Sequence, residues 1–189
     1  MSGAATAHWL AAKRILRYLA NTKSHGVVYT QEESYELTAY CDSDWGSDLD
    51  DRKSVSGYVV YAQGGPIVWK SKKQPTVARS SCEAEYVALA DTIAELLWVD
   101  MAIKEMGIRR SKPIKIYIDN QAAKAMAENP VNHERTKHID ISYHFIREVV
   151  SSGLVDLRYI HTKQNVADLL TKATSRSIFS QLVGKLVVD

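Results

Sequence analysis

The sequence predicts an α/β fold: a mixed sheet covered by helices on both faces. Three observations predict it. Three β-rich runs come first, broken by turn residues, between Leu37 and Val77. A long helical pattern then runs from Ser80 to Met106. Beyond it, strand-like and helix-like stretches alternate, giving the order β-β-β-α-β-α-α-β-α.

Composition bounds the reading. The 189 residues carry 24 Lys+Arg against 22 Asp+Glu, a formal charge of +2, with 46% hydrophobic and 24% charged residues. Those are proportions of a soluble globular domain, not of a disordered tail, a fibre or a membrane protein. A chain of this size buries roughly 70% of its unfolded surface, enough for one core. No apolar run approaches the roughly 20 residues that span a bilayer. Lys13, Arg14 and Arg17 interrupt the place where a signal peptide needs its apolar stretch. Cys41 and Cys82 are too few for a disulfide scaffold and read as free thiols, so a reducing, intracellular setting is expected. With near-neutral charge, any nucleic-acid binding has to rest on local basic patches.

Residues 7–20 read as an amphipathic helix, with Trp9, Ala12, Leu16 and Leu19 at helical spacing. Trp9 is expected to anchor it to the body. Residues 27–30 are extended, and residues 31–35 read as a polar linker. Residues 37–45 form a strand that enters an acidic loop, 42–52. Residues 57–62 and 67–70 form a hairpin around Gly64-Gly65-Pro66, and a further strand over 71–77 is interrupted by Pro75. Ser80 followed by Glu83 has the form of a capping box, and Gly107 falls where the long helix should stop. Residues 114–119 alternate Ile with polar side chains. Asn120 can cap a short helix that ends near Asn129-Pro130. Residues 133–138 read as a basic loop, 139–150 as a helix closed by Gly153, 155–162 as a strand, 165–172 as a helix opened by Asn165, and the tail from Ser177 as helical. Trp69, Trp98 and Tyr86 are assigned to the core.

Asp42 and Asp119 stand in matching contexts: each ends a β-rich run, with a tyrosine (Tyr40, Tyr117) two residues earlier on the same strand face. If the two strands are parallel neighbours, the carboxylates meet at their C-terminal ends, where open α/β sheets place ligand sites. Taken singly, each also reads as a turn or cap aspartate. Glu83 is explained by capping, whereas Glu85 shares a face with Leu89, Thr92 and Leu96 and looks toward the sheet. A charge there needs a metal or partner to offset desolvation. Asp168, three residues after Asn165, fits the start of a helix, where an acid also favours the dipole. Together the four carboxylates make an oxygen-rich set suited to Mg²⁺. The sequence has no zinc-spaced Cys/His set, phosphate-binding Gly loop or nucleophile elbow.

These residues carry a family resemblance. The blocks His8-Trp9-Leu10-Ala11-Ala12-Lys13-Arg14-Ile15-Leu16-Arg17-Tyr18-Leu19, Tyr40-Cys41-Asp42-Ser43-Asp44-Trp45, Lys53-Ser54-Val55-Ser56-Gly57-Tyr58, Trp69-Lys70-Ser71-Lys72-Lys73-Gln74, Ser80-Ser81-Cys82-Glu83-Ala84-Glu85-Tyr86, Tyr117-Ile118-Asp119-Asn120, Thr136-Lys137-His138-Ile139-Asp140 and Asn165-Val166-Ala167-Asp168-Leu169-Leu170-Thr171-Lys172 span almost the whole chain. In them it resembles the ribonuclease H domain of copia-type LTR retrotransposon Pol polyproteins. The resemblance implies a ribonuclease H-like fold, a five-stranded mixed sheet flanked by helices. It implies Mg²⁺-dependent hydrolysis of the RNA strand of RNA–DNA hybrids by two ions (Mn²⁺ substituting) on Asp42, Glu85, Asp119 and Asp168. His161 stands near the place of a mobile histidine in that family, although the loop here is short; a plain surface histidine is the other reading.

By the same resemblance, residues 1–35 correspond to the end of a reverse transcriptase or connection region, 36–175 to the catalytic domain and 176–189 to a tail helix. No polymerase Tyr-x-Asp-Asp motif is present. The implied partners are the hybrid and the reverse transcriptase domain of the same polyprotein, with no membrane. The implied setting is cytoplasmic virus-like particles, or the nucleus. Candidate phosphate contacts are Lys70, Lys72, Lys73 and Arg79, with a second basic spot at Arg135, Lys137 and His138; Asn120 and Gln121 could reach sugar hydroxyls. The lysines also read as a solvated strand edge that blocks sheet pairing. Rival functions are a non-catalytic or domesticated nucleic-acid-binding or scaffold module of the same fold, and a related polynucleotidyl transferase.

Overall fold

A computed structural model describes residues 5–31, 35–109, 113–129 and 137–188, with the backbone alone for 137–140. Its centre is strand β1, Leu37–Asp44. β1 pairs antiparallel with β2, Val55–Ala62, and parallel with β4, Ile114–Ile118. β3, Gly65–Lys73, and β5, Val155–Tyr159, complete a five-stranded mixed sheet of order β3-β2-β1-β4-β5. The expected five-stranded sheet is therefore present.

Alternation along β1 explains its two faces. Leu37, Ala39 and Cys41 point into the core, packed with Leu89, Ile93 and Leu96 of α2, Ser81–Glu105. Thr38 and Tyr40 lie on the opposite face and are only half-buried. At Asp42 and Ser43 both faces are covered, so Asp42 is only 1% exposed. Helix α2 starts where the sequence puts it: Ser80 Oγ accepts from Glu83 N at 3.1 Å. The reciprocal bond of a capping box falls one residue earlier, on Arg79 N (2.9 Å), not on Ser80 N. Gly107, at φ +75°, ends the helix in a Schellman motif: Gly107 N reaches Lys104 O, and Ile108 N reaches Ile103 O.

Several expected boundaries move. The hairpin turn is Gln63-Gly64, both at positive φ (52° and 76°), as in a type I′ turn. Gly65 and Pro66 belong to β3, and a bulge beside Val60/Tyr61 accommodates the proline on this edge strand. β3 runs unbroken to Lys73, because the chain turns only at Gln74. Its buried amide donates to Ser56 Oγ and Ala84 O.

Helix α3, Gln121–Glu128, is capped by Asn120 as expected. Helix α4, Lys137–Ser151, starts two residues earlier than its apolar pattern suggested. The expected 155–162 strand stops at Tyr159 and gives way to a 3₁₀ turn, Thr162–Gln164, and the expected 165–172 helix shrinks to the four-residue helix α5, Asp168–Thr171. Asn165 does not act as a simple helix cap. It is buried, its Oδ1 accepts from Ala167 N, and its Nδ2 donates to Cys41 O of β1 at 2.9 Å.

The N-terminal helix α1, Thr6–Asn21, buries no residue. Trp9 does not anchor it: the ring is 60% exposed, with the Lys13 ammonium over it. Tyr18 makes the contact instead, edge-on to Phe179 of α6, Arg176–Val183. The segment after α1 is held along the hairpin by Tyr29 Oη to Pro66 O and Thr30 N to Gln63 O, and Gly26 bridges Val188. Tyr86 is core as expected, but Trp69 and Trp98 are each 58% exposed. Neither cysteine is paired. Among the described residues no helix is long and apolar enough to cross a membrane.

Candidate active site

The parallel pairing of β1 and β4 sets Tyr40 opposite Tyr117, and the two rings stack at 5.0 Å. Asp42 and Asp119 each follow by two residues, so both carboxylates emerge at the same end of the sheet. The N-terminal end of α2, just past its first turn, brings Glu85 to them. One carboxylate oxygen from each of Asp42, Glu85 and Asp119 lies within 4.8 Å of the others. Glu83 stays outside, engaged by Arg79 N.

The surroundings hold these groups tightly. Glu85 Oε1 accepts from Ser43 N at 3.1 Å, while the buried Oε2 has no partner. Thr162 Oγ1 donates to Asp119 Oδ2 at 2.6 Å. Thr171 Oγ1 donates to Asp42 Oδ2. Asp168, buried at the start of α5, is joined to Asp42 through Lys172: the ammonium lies 3.4 Å from Asp42 Oδ2 and 3.3 Å from Asp168 Oδ1. The 4.8 Å group thus holds three of the four expected carboxylates, and the fourth is linked to it by a lysine.

Packing like charges away from water shifts their protonation. Burial, then Asp42 and Asp119, push Glu85 up to about 8. Burial, then Asp42, push Asp168 up to about 7, with Lys172 opposing. Burial holds the neighbouring Cys41 thiol well above its usual range. The donor set contains only oxygens, and one buried carboxylate oxygen, Glu85 Oε2, lacks a partner; both fit a hard divalent cation. Asp42, Glu85 and Asp119 would hold it.

His161 is exposed and opens the 3₁₀ turn, its Nδ1 accepting from Lys163 N. Lys70 is exposed on β3 opposite Tyr58, beside Asp91, Glu95 and Trp98. Lys72 is exposed, whereas Lys73 pairs with Asp48 at 2.5 Å and Asp51 at 3.1 Å. Arg79 is exposed just before α2, and Gln121 is exposed at the first turn of α3. The Asn120 carbonyl oxygen is occupied by Ala123 N. Arg135 lies outside the described residues, as do the side chains of Lys137 and His138. Lys172, Thr171 and Thr162 join the carboxylates without having stood out in the sequence as candidates. Only Lys172 left a signal, its i,i+4 spacing from Asp168.

No family model matches the chain. Retrovirus-related Pol polyproteins from transposons RE1 and RE2 of Arabidopsis thaliana are each 46% identical to it over 181 residues, 96% of this chain. That from transposon TNT 1-94 of Nicotiana tabacum is 40% identical over 180 residues, 94% of this chain. The chain spans only 12% of the two Arabidopsis polyproteins and 13% of the tobacco one. Among solved structures, LC11-RNase H1 in complex with an RNA/DNA hybrid superposes with a TM-score of 0.53 at 15% identity, covering 72% of this chain and 94% of that one. The N-terminal RNase H domain of a Mycobacterium tuberculosis protein, fused to maltose-binding protein, gives a TM-score of 0.52 at 12% identity, covering 79% and 97%. The chain therefore belongs to the copia-type retrotransposon Pol polyproteins, as a segment that carries the ribonuclease H fold.

Proposed function

We propose that this chain hydrolyses the RNA strand of RNA–DNA hybrids, using Mg²⁺ ions held by Asp42, Glu85, Asp119 and Asp168. The observation that supports this reading best is the convergence of three carboxylates within 4.8 Å at the end of two parallel strands. Divalent ions there would lower the pKa of a bound water and stabilise charge on the reacting phosphate.

The chain's own residues would hold that arrangement. Asp42 is fixed by Thr171, Asp119 by Thr162 and Glu85 by Ser43 N. The carboxylates act as ligands and take no covalent part. His161, exposed beside Thr162, joins the reading as the counterpart of the family's mobile histidine. Lys70, Lys72, Lys73 and Arg79, with Arg135, Lys137 and His138, would meet phosphates, while Asn120 and Gln121 would reach sugar hydroxyls. Such contacts read the shape of an RNA-containing helix more than its sequence. The reverse transcriptase region of the same polyprotein would deliver the hybrid.

The test is cleavage of a labelled RNA–DNA hybrid with and without Mg²⁺, alongside Asp119→Asn. Mg²⁺-dependent cutting of the RNA strand alone, lost in the folded variant, supports the reading. A folded protein that binds the hybrid and leaves it intact, even with the polymerase region added, would make it a binding module instead.

A further inference from the structure

We propose that Lys172 is the resident cation of the carboxylate cluster. In this proposal its ammonium occupies the position between Asp42 and Asp168 that a second divalent ion would take, so that the second ion enters only when Lys172 leaves. The inference rests on the metal-binding reading above and adds an order of occupancy to it.

The site is divided. Asp42, Glu85 and Asp119 form one compact group, and Asp168 stands outside it. What joins Asp168 to Asp42 is the Lys172 ammonium, 3.3 Å from one and 3.4 Å from the other. Both carboxylate side chains are almost fully buried, whereas the lysine side chain is one-third exposed. Two buried like charges need a compensating cation, and the lysine supplies one. Asp42 and Asp168 would hold a divalent ion less well while that positive charge stands between them, because like charges repel strongly at short range.

The backbone near Lys172 is anchored, because Thr171 is bonded to Asp42 and α5 lies against β2. The side chain has somewhere to go. Lys172 also lines a cavity of about 740 Å³ between α1 and α6, with Arg14, Tyr18, Arg176 and Phe179. Its four-carbon stem has the freedom to carry the ammonium from the carboxylates into that space.

Direct Mn²⁺ titration, counting free ion by electron paramagnetic resonance, tests this without any turnover. The wild type should bind one ion well and a second weakly. Lys172→Met should strengthen the second site by roughly tenfold or more, and the first by much less, because a unit charge at about 4 Å acts strongly on its nearest neighbour. Lys172→Gln is a second neutral variant should methionine disturb folding, and Lys172→Arg should behave as wild type. Adding Asp168→Asn to Lys172→Met should abolish the gain and spare the first ion.

A lysine that merely ties α5 to β1 would lower the melting temperature on substitution and leave both Mn²⁺ affinities alone; that result would overturn the inference. Equal strengthening of both ions, or two equally tight ions in the wild type, would also overturn it while leaving the metal reading intact. A wild-type protein that binds no Mn²⁺ would remove both.

Discussion

Gly57 lies directly opposite Asp42 in the β1–β2 ladder, and the space its missing side chain leaves is filled by Thr171. A Cβ at Gly57 would stand 2.8 Å from Leu170 Cβ and 2.8 Å from Thr171 Cγ2, with the Leu170 backbone 3.2 Å away. This contact lets a helix of only four residues sit flush on the sheet. Thr171 can then bond Asp42, with Asp168 and Lys172 held beside it.

Gly57→Ala should therefore act on the site as well as on stability. Overpacking of this kind costs about 1–3 kcal/mol. Displacing α5 should also weaken divalent-ion binding and cleavage. Thermal melting with and without Mg²⁺ checks both effects. A stability loss with unchanged ion affinity would separate the helix contact from the site.

Asn165→Ala should be costly for a residue outside the carboxylate set. It removes the bond to Cys41 O and leaves that buried carbonyl without its amide donor, and it also frees Ala167 N. About 2 kcal/mol is the expected loss. Asn165→Asp, which keeps the acceptor but not the donor, should lose a comparable amount and should not restore the wild-type melting temperature.

The metal-free protein should become less stable as pH rises from about 4.5 to 8. Glu85 has its folded value raised to about 8 from 4.5, and Asp168 has its value raised to about 7 from 3.8. In that window the folded state holds protons that the unfolded chain has already released, so stability falls with pH. The contribution is complete below the unfolded values and is lost through the folded ones. Saturating Mg²⁺ should raise the melting temperature more at pH 8 than at pH 5, because binding favours the ionised carboxylates. Parallel melting curves with and without Mg²⁺ measure this.

Lys72 and Lys73 should differ in hybrid binding despite being adjacent. Lys73 is held by Asp48 and Asp51, while Lys72 is exposed. Lys72→Ala should reduce the salt-dependence slope by about 0.7–0.9, as expected for one lost phosphate contact. Lys73→Ala should change it by less. Binding titrations across a salt series decide the comparison, and equal slopes for both variants would reject it.

Much of this molecule follows from local pattern. The alternating isoleucines of β4, the Ser80 cap, the Gly107 stop and the Asn120 cap each depend on a few neighbouring residues, and each appears where the sequence places it. The matching contexts of Asp42 and Asp119 were legible for the same reason, because strand periodicity alone puts each carboxylate on the face of its tyrosine. Glu85 could be told from Glu83 by helical rotation.

Tertiary structure decided the rest. Nothing local distinguishes Trp69 and Trp98 from core residues; their exposure reflects which faces receive a covering element. The pattern over 165–172 reads as one helix, but Asn165 gains more by tying β1 than by capping, and so the helix shrinks to Asp168–Thr171. Thr162, Thr171 and Lys172 became site residues only when the chain returned to β1 and β4 from more than forty positions away. The sequence by itself determined most element types and marked the candidate carboxylates, which depend on short-range periodicity and on residue chemistry. Which side chains fix those carboxylates, and which cation stands between two of them, was decided by long-range packing that no local pattern encodes.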